Sequence, residues 1–388
     1  MKTKRVIGQP SWRLASHDVE AYVTQLGGHL GPVTFDRRGR KIQPFAVAPW
    51  AEEPLDPSTP EVLRAMRGDF FCLPFGGNQT AFRGEHHPVH GETANAKWNL
   101  ESQRAGYLHL SLRPRVRPSR VDKHIWVRDA VYCRHVISGL RGPMNFGHHA
   151  MLRFPDEPGS GVISTSRFVY GQVLPTVIEK PEERGYQSLK PGAEFSALTK
   201  VPLLTGDCTD LSRYPARRGF EDLVMLVNDA RQPLAWTAVT FARQRCVWFA
   251  LKDPRVLRET ILWISNGGRH YPPWNGRHVN VMGLEEVTSY FHYGLAESVR
   301  RNPVGARGYA TCRHFDPAQP VTINYIMAVA PVPAGFDRVI AITPSTRRDA
   351  VRLRSATGRS VLVPLDVSFL ESTQDQARSV TQLPTRRG

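Results

Sequence analysis

The feature that most constrains this chain is a recurring alternation of short apolar runs and turn-forming breaks. Runs at 107–112, 130–137, 223–227, 235–241, 246–251, 321–332 and 338–343 are apolar or alternate with polar residues. Most are too short for an ordinary helix, and clusters of Gly, Pro, Asp and Asn separate them, as expected of strands joined by turns. With 31 Gly and 31 Pro among 388 residues, helix interiors are disfavoured along the whole length. The predicted fold class is all-β: a large antiparallel β-sandwich with few short helices. Two stretches read as helical, 60–66 and 284–301, the second broken near Gly294. Segment 172–218, rich in Pro, Gly and charge, reads as an excursion from the sheet and a lid over a cleft. No internal repeat or low-complexity linker divides the chain. One domain is expected over 1–370, followed by a polar tail at 371–388 that frays.

Charge offers a lead that the sequence itself weakens. The chain carries 51 Lys and Arg against 35 Asp and Glu, a net charge of +16. Such a balance raises nucleic acid, an anionic surface or an acidic substrate as partners. Only nine of the 51 basic residues are Lys, an arginine bias that fits a GC-rich coding sequence. The densest basic runs are 37–41, 113–123 and 347–359. In the second, Arg113, Arg115 and Arg117 alternate like the solvent face of a strand. No helix-turn-helix, zinc-finger or RNA-binding motif accompanies them, so no nucleic-acid partner is expected. Cys72, Cys133, Cys208, Cys246 and Cys312 are widely spaced and form no CxxC, which fits a reducing compartment. The opening MKTKRVIGQPSW runs into no apolar stretch, and no run of apolar residues is long enough to span a membrane. A cytoplasmic enzyme without a membrane partner is the expectation.

Chemistry-bearing residues gather in four segments. The first, 67–79, holds Arg67, Asp69, Asn78 and Gln79. The second, 83–98, holds Arg83, Glu85, His86, His87, His90, Glu92 and Trp98. The third, 145–149, ends in His148-His149. The fourth runs from Tyr271-Pro-Pro-Trp274-Asn275-Gly-Arg277 into Glu285-Glu286. Five of the 14 His fall in the second and third segments. Three readings compete. His and Glu form an acid/base pair in a polar cleft, where Trp98 and Trp274 offer flat faces to a sugar ring. His86, His90 and Glu92, with His149, bind a metal, although their spacing matches no named motif. Or these His are hydrogen-bonded loop residues. Asn275-Gly276 is a turn signal, and Asp69 beside Arg67 reads as a local ion pair.

Taken in order, Pro74-Phe-Gly-Gly-Asn78-Gln79, Val89-His90-Gly91, Trp98, Pro143-Met-Asn145-Phe-Gly-His148-His149 and Gly283-Leu284-Glu285 resemble the aldose 1-epimerase (galactose mutarotase) family. The resemblance spans roughly residues 67–300. It implies a large two-sheet sandwich and cofactor-free interconversion of sugar anomers. Glu285 would be the general base that takes the anomeric hydroxyl proton. His149 would be the general acid that protonates the ring oxygen, and His90 would hydrogen-bond the sugar. Asn78, Gln79, Arg67, Arg83, His148, Trp98, Glu221, Asp222, Trp274 and Arg277 are the candidate substrate contacts.

The chain departs from the family pattern in several places. Gln79 stands where the family has Arg, leaving Arg67 or Arg83 to replace it. Glu92 follows His90-Gly91 where a second Gly is common, and Glu221 or Asp222 would serve for a later sugar-binding Asp. His148 against His149, and Glu285 against Glu286, stay open. If both Glu side chains share one cleft, one pKa rises; if they start a helix, Glu286 is solvated. The expected partner is a small carbohydrate, and Arg67, Arg83 and Arg277 near the cleft would favour an anionic one. The rival readings are a non-catalytic carbohydrate-binding sandwich, a metal-dependent sugar isomerase or lyase using His86, His90 and Glu92, and a charge-driven nucleic-acid binder.

Overall fold

In the computed structural model, which describes residues 2–372, the runs read as strands are strands. Tyr107–Leu112 and Ala235–Phe241 have the expected bounds. Val131–Ser138, Phe220–Asn228, Cys246–Lys252, Val321–Pro331 and Val339–Pro344 differ only at their ends. They form a nine-stranded and a seven-stranded antiparallel sheet, with a five-stranded N-terminal meander over Lys4–Ile42 and a three-stranded C-terminal sheet. The longest α-helices have five residues. No helix among the described residues is long and apolar enough to cross a membrane. Of the expected 371–388 tail, all but Glu371 and Ser372 lies outside the described residues.

Both large sheets are covered on both faces, which explains why their strands read as continuous apolar runs. Along Phe220–Asn228, Val224 and Leu226 enter the core between the two sheets, which also takes Trp248, Ile323 and Tyr325 from the nine-stranded sheet. Leu223, Met225 and Val227 face the other way, into a second cluster with Trp50, Phe70, Phe75, Trp263 and Trp274. The nine-stranded sheet alternates likewise: Tyr325 and Met327 point inward, while Ile326 and Ala328 meet the C-terminal sheet through Val339, Val351 and Leu353. The seven-stranded sheet and the second cluster on its outer face frame the site.

Three expectations fail here. Residues 284–301 are not mainly helix: Val281–Thr288 is a strand, and only Leu295–Val299 is helical. Val281–Thr288 is paired on both edges, with Glu259–Asn266 and Phe146–Arg153, and is buried throughout, so tertiary pairing overrides helix propensity. The stretch 113–117 is a turn after a strand, and Arg117 is buried there, donating to Glu85 and to the Pro143 carbonyl. Asp69 pairs with His148 at 2.8 Å instead of with Arg67. Segment 172–218 leaves the sheet after Phe168–Val173 and forms only two-residue ladders.

Candidate active site

A cavity of about 290 Å³ opens on the outer face of the seven-stranded sheet. Four adjacent strands supply its floor through register. His149 lies opposite Glu285, Trp263 lies opposite Gly283, and Leu223 lies opposite Trp263. Gly283 is required by this close packing. A Cβ there would come within 2.6 Å of Glu285 Oε1 and 3.1 Å of Trp263 Cβ. The helix Glu61–Ala65, expected as part of 60–66, contributes Val62 and Leu63 to the wall. The 172–218 excursion contributes Ile178.

The floor holds a carboxyl–imidazole pair. His149 Nε2 is 3.2 Å from Glu285 Oε1, and the two residues are 4% and 1% exposed. The contact is close, yet its angles fall outside hydrogen-bond geometry. Neither Glu285 oxygen has a hydrogen-bond partner among the described residues. Burial pushes the Glu285 carboxyl well above its ordinary pKa and His149 well below its own. Burial thus favours the uncharged form of each group, and the two titrate as a coupled pair. Phe70 stacks on the His149 ring at 4.5 Å and fixes its plane.

His90 stands at right angles to His149, ring centroids 4.9 Å apart. Its Nδ1 is 3.3 Å from Cys72 Sγ and 3.4 Å from the Gly76 amide nitrogen. The amide can only donate, and burial raises the Cys72 pKa so that the thiol keeps its proton. Nδ1 is thus an acceptor, and the His90 proton sits on Nε2. That N–H points at His292 Nε2, 3.1 Å away, so His292 carries its proton on Nδ1. Nitrogen chemical shifts should show His90 in the Nε2–H form and His292 in the Nδ1–H form. The reverse pair of tautomers would refute the arrangement.

Solved structures share this architecture. A galactose mutarotase related enzyme from Lactobacillus acidophilus superposes with a TM-score of 0.55 at 11% identity, covering 84% of this chain and 99% of that one. A proposed aldose 1-epimerase from Escherichia coli K12 gives 0.57 at 13% identity, over 84% and 100%. A galactose mutarotase-like protein from Lactobacillus casei gives 0.51 at 8%, over 82% and 100%. The chain has the galactose mutarotase fold. No protein-family model matches it, and no curated protein matches it by sequence.

On this mutarotase fold the expected residues separate into two groups. Glu285, His149, His90, Trp274 and Gln79 line the cavity. The others do not. Arg67 is fully buried and spends its guanidinium on the Ala65, Val6 and Ile7 carbonyls. Arg83 is exposed and lies over the Phe82 ring. Arg277 forks onto Glu53 at the surface. Asn78 ties its loop together through the Gly76 and Pro88 carbonyls and the Leu295 amide. Trp98 is a core residue that donates to the Thr93 carbonyl. His148 alternates to the inner face with Asp69. Asp222 is held by Ser188 and Leu189. Glu221 lies behind the wall, accepting from Trp263 and Ser265.

The alternative metal set does not assemble. His86 is exposed, and Glu92 accepts from the Arg115 and Val116 amides, so neither joins His90. Among the described residues no group of three His, Cys, Asp or Glu is arranged to hold a metal ion.

Three cavity residues carry no motif that singles them out: His292, Trp263 and Arg269. The only signal for Arg269 was its place in Gly267-Gly268-Arg269-His270, which leads into the Tyr271-Pro-Pro-Trp274 segment.

Proposed function

We propose that this protein interconverts the anomers of a monosaccharide, with Glu285 and His149 as the pair that moves protons. The supporting observation is the 3.2 Å cross-strand contact between a carboxyl and an imidazole that have no competing hydrogen-bond partners among the described residues, on the floor of the cavity. The cavity volume of about 290 Å³ corresponds to roughly ten waters, enough for a single sugar ring. Trp263 and Trp274 give that ring apolar faces.

Ring opening breaks the anomeric O–H and the bond from C1 to the ring oxygen. It forms a C1 carbonyl and a new hydroxyl. One group takes a proton and another gives one, with no change of oxidation state, so a pair sharing one proton suffices. Rotation about C1–C2 and closure with the roles exchanged yields the other anomer. His90, whose Nε2–H is held by His292, packs edge-on against His149 beside the pair.

Anomer exchange followed by NMR or polarimetry over a panel of aldoses is the direct test, and no acceleration over buffer would sink the reading. The pH profile adds a signed check. The one-proton pair is lost on the acid side when His149 gains a second proton, below the ordinary imidazole value because its pKa is depressed. It is lost on the alkaline side when Glu285 ionises, above the ordinary carboxylate value because its pKa is raised. A bell in kcat/KM with its acid limb below about 6.5 is expected. An acid limb at or above that value would contradict the neutral pair.

A further inference from the structure

Arg269 enters the cavity wall with its charge already balanced. Its Nε donates to Glu179 Oε1 at 2.5 Å, and Tyr271 donates to the same carboxylate at 3.1 Å. Glu221 Oε2 lies 3.9 Å from the same nitrogen. The guanidinium stands 4.6 Å over the Trp274 ring and 5.6 Å from that of Trp263. These contacts fix the plane of the fork and leave its two terminal nitrogens without a hydrogen-bond partner among the described residues. Burial favours the uncharged form of every other ionisable side chain lining the cavity: Glu285, Tyr271, His90, His149 and His292.

From this geometry we infer that Arg269 is the specificity-determining residue of the cavity, donating to sugar hydroxyls, and that the sugar it selects is uncharged. The inference rests on the proposed function for the identity of the ligand as a sugar. A guanidinium already paired with Glu179, with a second carboxyl behind it, offers two oriented donors but little net positive charge. Hydroxyl oxygens can accept from those donors at no electrostatic cost. A sugar carboxylate or phosphate would bring an uncompensated negative charge into a cavity walled by Val62, Leu63, Ile178 and Leu223. This reverses the expectation of an anionic sugar, which rested on Arg67, Arg83 and Arg277. None of those three lines the cavity.

The test measures binding by calorimetry, independently of turnover, with D-glucose and D-galactose and with the matching uronates. The wild-type protein should bind a hexose at least tenfold more tightly than its uronate. Arg269→Met should weaken hexose binding at least tenfold. Glu179→Gln removes the carboxylate that pairs directly with the guanidinium and should shift the hexose-to-uronate preference at least tenfold toward the uronate. Tighter uronate binding by the wild type, binding of neither class, or hexose binding unchanged in Arg269→Met would overturn the inference. If Arg269→Met fails to fold, an unaltered preference in Glu179→Gln would do so. Hexose binding that follows this pattern without anomer exchange would overturn the proposed function and leave the role of Arg269 standing.

Discussion

Glu285→Gln should lower kcat/KM for anomer exchange by roughly 10²–10⁴-fold, the range lost when a positioned acid or base is removed. The amide keeps the shape of the carboxyl but cannot exchange a proton with His149 or with the sugar. The fold should survive, because neither Glu285 oxygen accepts a hydrogen bond among the described residues. The substitution also removes an ionisable group from a site that disfavours its charge. Thermal unfolding should therefore shift little, and in the stabilising direction if at all. His149→Asn should give a comparable loss, and the double variant little more than either single one, since the two residues act as a unit. Full activity in Glu285→Gln would remove the pair from the mechanism.

The neighbouring carboxyl provides the contrast, and it shows what the sequence could and could not reveal. Glu285 and Glu286 look equivalent in Gly-Leu-Glu-Glu-Val-Thr. The run reads as a possible helix start because its apolar and charged residues do not alternate in the pattern of a half-buried strand. On a strand, successive side chains point to opposite faces. Here both faces are interior, so a carboxyl is buried on each. Glu285 enters the cavity, and Glu286 enters the space between the sheets. The same alternation separates His149 from His148.

The sandwich itself was legible because each strand carries its own run and its own turn residues. That His90, His149 and Glu285 gather at one cavity was foreshadowed by the local motifs around each of them. The arginines were not. Whether a guanidinium faces solvent, a sugar or backbone carbonyls depends on what distant chain comes beside it. For Arg67 those partners are the Val6 and Ile7 carbonyls of the N-terminal meander, which no local pattern announces. Arg269 was hidden in the same way, since its partner Glu179 lies in the excursion 90 residues earlier.

Lys252→Met should destabilise the protein by about 3–5 kcal/mol, the cost of breaking a buried ion pair from one side. Lys252 comes from the nine-stranded sheet and Glu286 from the seven-stranded sheet, and their side chains are each 1% exposed where they meet. The Lys252 ammonium also donates to the Glu259 carbonyl at 2.7 Å and to Thr260 Oγ1 at 3.1 Å. Glu286 accepts from Thr237 at 2.6 Å and from Thr260 at 2.7 Å. Burial works against the Lys252 charge, and Glu286 is the main group opposing that effect. Methionine fills similar space but leaves the Glu286 carboxyl without its cation and the Glu259 carbonyl without its donor. The double variant Lys252→Met, Glu286→Gln should recover part of the loss. Its amide stays neutral, its carbonyl oxygen still accepts from one threonine, and its NH2 donates to the hydroxyl oxygen of the other. Urea unfolding midpoints measure both effects, and a loss below about 1 kcal/mol in Lys252→Met would show that the pair contributes little. Because Glu286 faces away from the cavity, the folded fraction of these variants should still exchange anomers. That behaviour would separate a carboxyl that joins the two sheets from the adjacent one proposed to move a proton.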